Sequence, residues 1–122
     1  MRIVSRTELM AMPAGTLYHD WQPCYFGALC IKGETLPAEP GYSGDWYEAV
    51  IPHLDVSSSD EDCDTQVAMD EKGLSHPLTF ELEGREALYD DSLRYAVWER
   101  ADVAALHAKL GKILNVGSED GS

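Results

Sequence analysis

The chain has 122 residues and a formal net charge of −13, from 22 acidic and nine basic side chains. This length fits one domain with a hydrophobic core, and a hydrophobic content of 44% argues against disorder. The scarcity of Lys and Arg disfavours direct nucleic-acid binding, and no run approaches the roughly 20 apolar residues of a membrane span. Because the N-terminus also lacks the features of a signal peptide, we predict a cytoplasmic protein.

The first third of the sequence predicts a short helix among strands. Residues 1–4 form a strand pattern, and Ser5 and Glu8 then have the spacing of a capping box, which starts a helix. After a turn, residues 16–22 and 24–32 are typical of two strands separated by Pro23. Both faces of the second strand are mostly apolar, so we expect it to lie at the centre of a sheet.

The middle of the sequence predicts a loop, a strand and an acidic helix. Residues 33–44 are rich in Gly and Pro. Residues 45–51 fit a strand or a short helix, and we favour the strand, in which Trp46, Glu48 and Val50 share a face. A helix is predicted at about 59–72, capped by Ser58 and ended by Gly73. Its expected buried stripe consists of Cys63, Val67 and Ala68.

The last third of the sequence predicts two strands and a helix. Residues 78–83 alternate, with Leu78, Phe80 and Leu82 expected to face inward, and residues 93–99 form another strand pattern. Asp102 is a candidate cap for the last helix. The helix has an apolar face that we expect to be buried against the sheet, formed by Val103, Leu106, Leu110 and Ile113.

These elements predict an α+β fold. A small curled, mostly antiparallel sheet is packed by the C-terminal amphipathic helix, with a short N-terminal helix and the acidic helix near 59–72 as further elements. Residues 1–114 are predicted to form a single domain, and residues 115–122 a polar tail.

The negative charge is concentrated in residues 55–91, which carry twelve acidic and two basic side chains, a net charge of −10. Such a cluster presents a directed field that attracts basic surfaces, and tyrosine beside carboxylates suits an interface that receives Arg and Lys. The alternative is a solvated face that only keeps the protein soluble. The candidate partner-binding residues are Asp60, Glu61, Asp62, Asp64, Asp70, Glu71, Glu81, Glu83, Tyr89, Asp90 and Asp91.

A calcium loop is the competing interpretation of the same segment. Asp60, Asp62, Asp64 and Glu71 match positions 1, 3, 5 and 12 of an EF-hand loop. Position 6, however, is Thr65 rather than the Gly that the sharp turn favours. We therefore favour the helix and expect no bound metal.

The sequence offers no recognisable catalytic centre. The glycines are not spaced as a phosphate-binding loop, and the histidines do not form a metal-binding pair. Cys24, Cys30 and Cys63 lack a Cys-x-x-Cys spacing, so we expect reduced thiols. We predict a protein that is not an enzyme and uses no cofactor, although a small enzyme with an unrecognised site stays an alternative.

Three segments resemble small uncharacterised proteins that phages and prophages encode: residues 12–18 (MPAGTLY), 23–27 (PCYFG) and 95–103 (YAVWERADV). These segments are typical of a turn, a strand and a helix cap, so the resemblance implies no catalytic residue. Small acidic phage proteins include inhibitors of host defence, among them anti-CRISPR proteins and DNA mimics. The resemblance therefore implies an inhibitor that occupies the basic nucleic-acid-binding surface of a host protein. A phage accessory or structural protein is the alternative.

Overall fold

The computed structural model describes residues 1–40, 44–81 and 84–121, with side chains through residue 115. The strands of the described part are β1 (Arg2–Ser5), β2 (Leu17–Gln22), β3 (Tyr25–Leu36), β4 (Asp45–Ile51), β5 (Gly84–Arg85) and β6 (Arg94–Val97). Its helices are α1 (Arg6–Met10), α2 (Ser59–Lys72) and α3 (Arg100–Gly121).

The six strands form one antiparallel sheet in the order β1-β6-β2-β3-β4-β5. Consecutive strands from β2 to β5 are neighbours, whereas β6 returns from the end of the sheet to lie between β1 and β2. The predicted α+β fold with a curled, mostly antiparallel sheet is confirmed. The central position expected for residues 24–32 is also confirmed, because β3 has β2 and β4 on its two sides.

One face of the sheet carries the core. Strand register explains its composition, since Tyr18 lies opposite both Cys30 and Val97, and Val4 lies opposite Tyr95. Side chains at such paired positions project to the same face of a pleated sheet. The buried cluster comprises Val4, Leu9, Tyr18, Cys30, Trp46, Tyr95 and Val97.

The predicted capping box fixes α1 over this core. The Glu8 N–H donates to Ser5 Oγ at 3.2 Å, and the Ser5 N–H donates to Glu8 Oε1 at 3.1 Å. These bonds satisfy backbone donors at the helix N-terminus and hold the helix against β1. Leu9 is completely buried as a result, and so is Arg6.

The strand predicted at 78–83 is wrong. In its described part, residues 78–81, only an isolated bridge between Leu54 and Leu78 forms, and both Leu78 and Phe80 are exposed rather than inward-facing. Leu82 lies outside the described residues. Alternation shows which side chains share a face, but it does not show whether another part of the protein covers that face.

The packing expected of the last helix is also wrong. Val103, Leu110 and Ile113 are exposed, and Leu106 is only half-buried, because α3 leaves the sheet instead of lying on it. The helix continues to Gly121, through most of the segment predicted as a polar tail. Asp102 is not the cap residue that the sequence predicts, because the helix begins at Arg100; it lies in the first turn, where its carboxylate accepts the Glu99 N–H at 2.9 Å. None of the helices in the described ranges has the length and apolar composition required to cross a membrane.

Candidate partner-binding surface

The acidic helix α2 forms where the sequence predicts it. At its start, Ser58 Oγ accepts the Glu61 N–H at 3.1 Å. At its end, Gly73 adopts a left-handed conformation with φ 65°, which glycine reaches without a steric cost. The acidic residues of the first turn also complement the helix dipole.

The predicted buried stripe of α2 is wrong, because the helix buries no residue completely. Cys63 and Val67 are exposed, and the half-buried residues are Asp62, Thr65, Ala68 and Met69. The inner side of α2 contributes Asp62, Gln66 and Met69 to a cleft of about 330 Å³, shared with Leu54 and Leu78. The helix is therefore held to the domain along a thin, mixed polar and apolar contact.

The outer side of α2 carries an acidic stripe. Asp60, Asp64 and Glu71 are spaced so that they lie on one face of the helix, together with Val67. This face lies opposite the half-buried residues, and all four side chains are exposed. Among the described residues, no Lys or Arg forms an ion pair with these three carboxylates. We call Asp60, Asp64 and Glu71 the acidic stripe.

Two other carboxylates of α2 bond within the protein. Glu61 Oε2 accepts the Ser57 backbone N–H at 3.0 Å and its hydroxyl at 2.5 Å. These bonds lower the pKa of Glu61 below its usual range. Asp62 Oδ1 accepts from Gln66 Nε2 at 2.7 Å. Asp70 lies beside the acidic stripe, on the exposed side of the helix.

The second predicted group of partner-binding residues has internal roles. The Tyr89 hydroxyl accepts from Arg85 Nη2 at 2.9 Å, and its ring lies 5.9 Å from the Arg6 guanidinium. The Asp90 carboxylate accepts the Ser92 N–H and hydroxyl, which lowers its pKa. Asp91 Oδ1 lies 3.6 Å from Arg6 Nη1.

The remaining two members of that group are Glu81 and Glu83. Glu81 is exposed, whereas Glu83 lies outside the described residues. In the described part of the chain, no hydrogen bond or ion pair joins α2 to residues 89–91. Among the described residues, the two groups are therefore not linked by a direct polar contact.

The calcium hypothesis is overturned by the backbone. Asp60, Asp62, Asp64 and Glu71 all lie within α2, whereas an EF-hand requires a loop that wraps its oxygens around the ion. In the described ranges, no group of three or more His, Cys, Asp or Glu side chains could hold a metal ion.

A buried cluster of charges is the feature that sequence reasoning missed. Arg6 Nη2 donates to Glu86 Oε2 at 2.7 Å, and Arg6 Nη1 donates to the Gly44 carbonyl oxygen at 2.7 Å. Asp45 lies 3.9 Å from the same guanidinium and accepts from Arg85 Nε at 3.0 Å. The guanidinium also lies 4.9 Å from the centre of the Trp46 ring. Glu86 belongs to the acidic segment of the sequence but is buried and paired.

A polar chain continues from this cluster through the core. Trp46 Nε1 donates to the Tyr18 hydroxyl at 2.9 Å, and that hydroxyl donates in turn to the Glu48 carboxylate. Burial raises the pKa of both Tyr18 and Glu48 above their usual ranges. The alternation of β4 correctly predicts that Glu48 lies on the same face of the strand as Trp46. Tyr18 and Trp46 are completely buried, whereas Glu48 is half-buried.

The three cysteines are unpaired, as expected, and all lie in the described part of the chain. Cys24 and Cys63 are exposed, whereas Cys30 is buried, which raises the pKa of its thiol to about 12. Two thiols should therefore react with a maleimide in the native protein, and the third only after unfolding. Mass spectrometry of the labelled protein, with and without guanidinium, measures this. Native labelling at Cys30 would contradict the core packing.

Comparison with protein-family models, with curated proteins and with solved structures finds no match to this chain.

Proposed function

We propose that the protein is an inhibitory binding protein, and that α2 occupies the basic nucleic-acid-binding surface of another protein. The observation that carries this proposal is the exposure of the acidic stripe, which has no Lys or Arg partner in the described part of the chain. Buried charged side chains require internal partners, as Arg6, Asp45 and Glu86 have here. The exposed acidic stripe has no such pairing among the described residues.

The charge density of α2 fits a groove that receives nucleic acid. Six acidic residues lie between Asp60 and Glu71, over a helix length of about 16 Å at 1.5 Å per residue. Five of the six are exposed, whereas Asp62 is half-buried on the inner side, so one exposed negative charge falls per roughly 3 Å of helix, close to the 3.4 Å per charge of a single DNA strand. A row of Lys and Arg that contacts phosphates could therefore contact α2 in a similar way.

The electrostatics also limit what α2 can contribute alone. An exposed ion pair contributes at most about 1 kcal/mol, so affinity must come from several pairs acting together. Aligned charges mainly accelerate encounter and exclude the wrong partners. The exposed Val67 within the acidic stripe offers apolar contact at the same place. The resemblance to small acidic phage proteins supports a host defence protein as the target, met in the cytoplasm.

The test is competition for nucleic acid. Immobilised protein captures partners from a bacterial lysate, and each captured partner is then loaded with a fluorescent DNA or RNA duplex. Added protein should release the duplex, and the effect should weaken between 0.15 M and 1 M salt, as the screening length falls from about 8 Å to about 3 Å. A partner that binds the protein and the duplex simultaneously would exclude this mechanism.

Two double variants with the same change in net charge distinguish the contribution of the acidic stripe to binding from that of the overall negative charge. Asp64→Lys with Glu71→Lys should weaken partner binding by at least about tenfold. Glu34→Lys with Glu39→Lys should leave binding nearly unchanged, because both residues are exposed and distant in sequence from α2. Asp60 is kept, since a Lys in the first turn would oppose the helix dipole. Equal losses of binding in the two variants would indicate that the acidic stripe is a solvated surface that only keeps the protein soluble.

A further inference from the structure

Helix α3 has an apolar face with no cover in the described structure. Leu110 is 48% exposed, Ile113 60% and Leu114 71%. Through residue 115, only Asp102, Leu106 and Gly111 are half-buried on this helix, and none is fully buried. Most of the stability of a protein helix comes from packing its apolar face. A helix of 22 residues with this face in solvent therefore indicates a partner.

The spacing of the apolar residues suits another helix as the partner. Val103, Leu106, Leu110 and Ile113 are separated by three, four and three residues. This is the a/d pattern of two heptads, in which each side chain inserts between residues of a facing helix. A flat sheet surface does not require this 3.5-residue repeat.

The same spacing makes the stripe complementary to itself. The four positions are symmetric about Ala108, since 103 and 113 lie five residues from it and 106 and 110 lie two. When two copies of α3 run antiparallel around a two-fold axis at this point, Val103 faces Ile113 of the other copy. Leu106 then faces Leu110. A two-fold interface of this kind needs one patch only, because the same surface serves both chains.

The charges of the chain favour the antiparallel arrangement. Residues 1–99 carry a net charge of −13, whereas α3 is neutral, because its three basic residues are balanced by Asp102, Glu119 and Asp120. Antiparallel packing keeps the two negative domains at opposite ends of the coiled coil. Parallel packing would bring two strongly negative domains together.

We infer that the protein forms a homodimer through an antiparallel coiled coil of two α3 helices, with the stripe of Val103, Leu106, Leu110 and Ile113 at its centre. The dimer leaves α2 of each copy outside the coiled coil. The inference rests on α3 alone and does not depend on the proposed role of the acidic stripe.

Sedimentation equilibrium over a concentration series tests the dimer. The wild-type mass should rise from 13.5 kDa toward that of two chains. Leu110→Glu should raise the dissociation constant by more than about tenfold, because it places a charge in the apolar contact. Ala108→Glu adds the same charge on the opposite side of the helix and should leave the dimer intact. Ile113→Glu gives a second variant of the contact, and circular dichroism confirms that each variant is folded.

A wild-type protein that stays at 13.5 kDa throughout the series would overturn the inference. The apolar face of α3 would then bind a helix of another protein. Equal weakening by Leu110→Glu and Ala108→Glu would also overturn the inference. Orientation is tested by oxidising a mixture of Val103→Cys and Ile113→Cys chains in a background of Cys24→Ser and Cys63→Ser. Antiparallel packing predicts disulfides mainly between the two kinds of chain, whereas disulfides between identical chains would exclude it.

Discussion

Replacing Arg6 with Met should lower the free energy of unfolding by about 3–5 kcal/mol, the usual cost of removing one member of a buried ion pair. The guanidinium is fully buried and contacts the buried carboxylates of Glu86 and Asp45. Without it, the buried Glu86 carboxylate loses its cation, whereas Asp45 keeps its bond to Arg85. Urea unfolding of the wild type and the variant at pH 7 measures the difference.

Two further variants distinguish this mechanism from a general loss of charge. Arg94→Met removes an exposed cation from β6 and should change stability by no more than about 0.5 kcal/mol. Combining Arg6→Met with Glu86→Met should recover much of the lost stability, because an apolar pair of similar volume often replaces a buried ion pair at little cost. A loss below about 1 kcal/mol for Arg6→Met alone would show that solvent reaches Glu86.

Replacing Trp46 with Ala should cost about 3–5 kcal/mol, because the site is too enclosed to collapse around the missing ring. Trp46 is completely buried, and its ring packs edge-on against Tyr18 and Tyr95, with centroids 6.1 and 5.6 Å away. The indole N–H also donates to the Tyr18 hydroxyl at 2.9 Å. Thermal and urea unfolding of the variant measure the loss.

Trp21→Ala is the matched control, because it removes the same side chain from a half-buried position. Its cost should be clearly smaller than that of Trp46→Ala. Trp46→Phe should retain most of the packing but lose the hydrogen bond to Tyr18, at a cost of about 1–2 kcal/mol. If Trp21→Ala were as damaging as Trp46→Ala, the centre of the core would lie elsewhere.

The elements that the sequence predicts correctly are those that depend on neighbouring residues. Ser5 and Glu8 form their capping box within four residues, and Ser58 and Gly73 delimit α2 by the conformations they favour. The alternation of β4 likewise follows from its own side chains. Local chemistry is sufficient in these cases because the partner groups are close in the chain.

The elements that the sequence predicts wrongly depend on distant partners. The apolar periodicity of α3 shows that a buried face is needed, but the sheet does not provide the cover. The pairing of Arg6 with Glu86 joins residues 80 positions apart, and no pattern in one sequence indicates it. Glu86 could only be counted with the acidic segment. The helix that carries the acidic stripe was therefore predictable, whereas the internal pairing of residues 85–91 was not.

The position of β6 between β1 and β2 sets an order of events during synthesis. Among the strands, β1 is made first, but its hydrogen-bonding partner ends at Val97. At about 5–20 residues per second, roughly 5–20 s pass before that partner has been made. The hairpins from β2 to β4 can form meanwhile, since their loops are short and close at a small entropic cost. Until Val97 leaves the ribosome, the open edge of β2 is the place where a nascent chain is most exposed to aggregation or to chaperones.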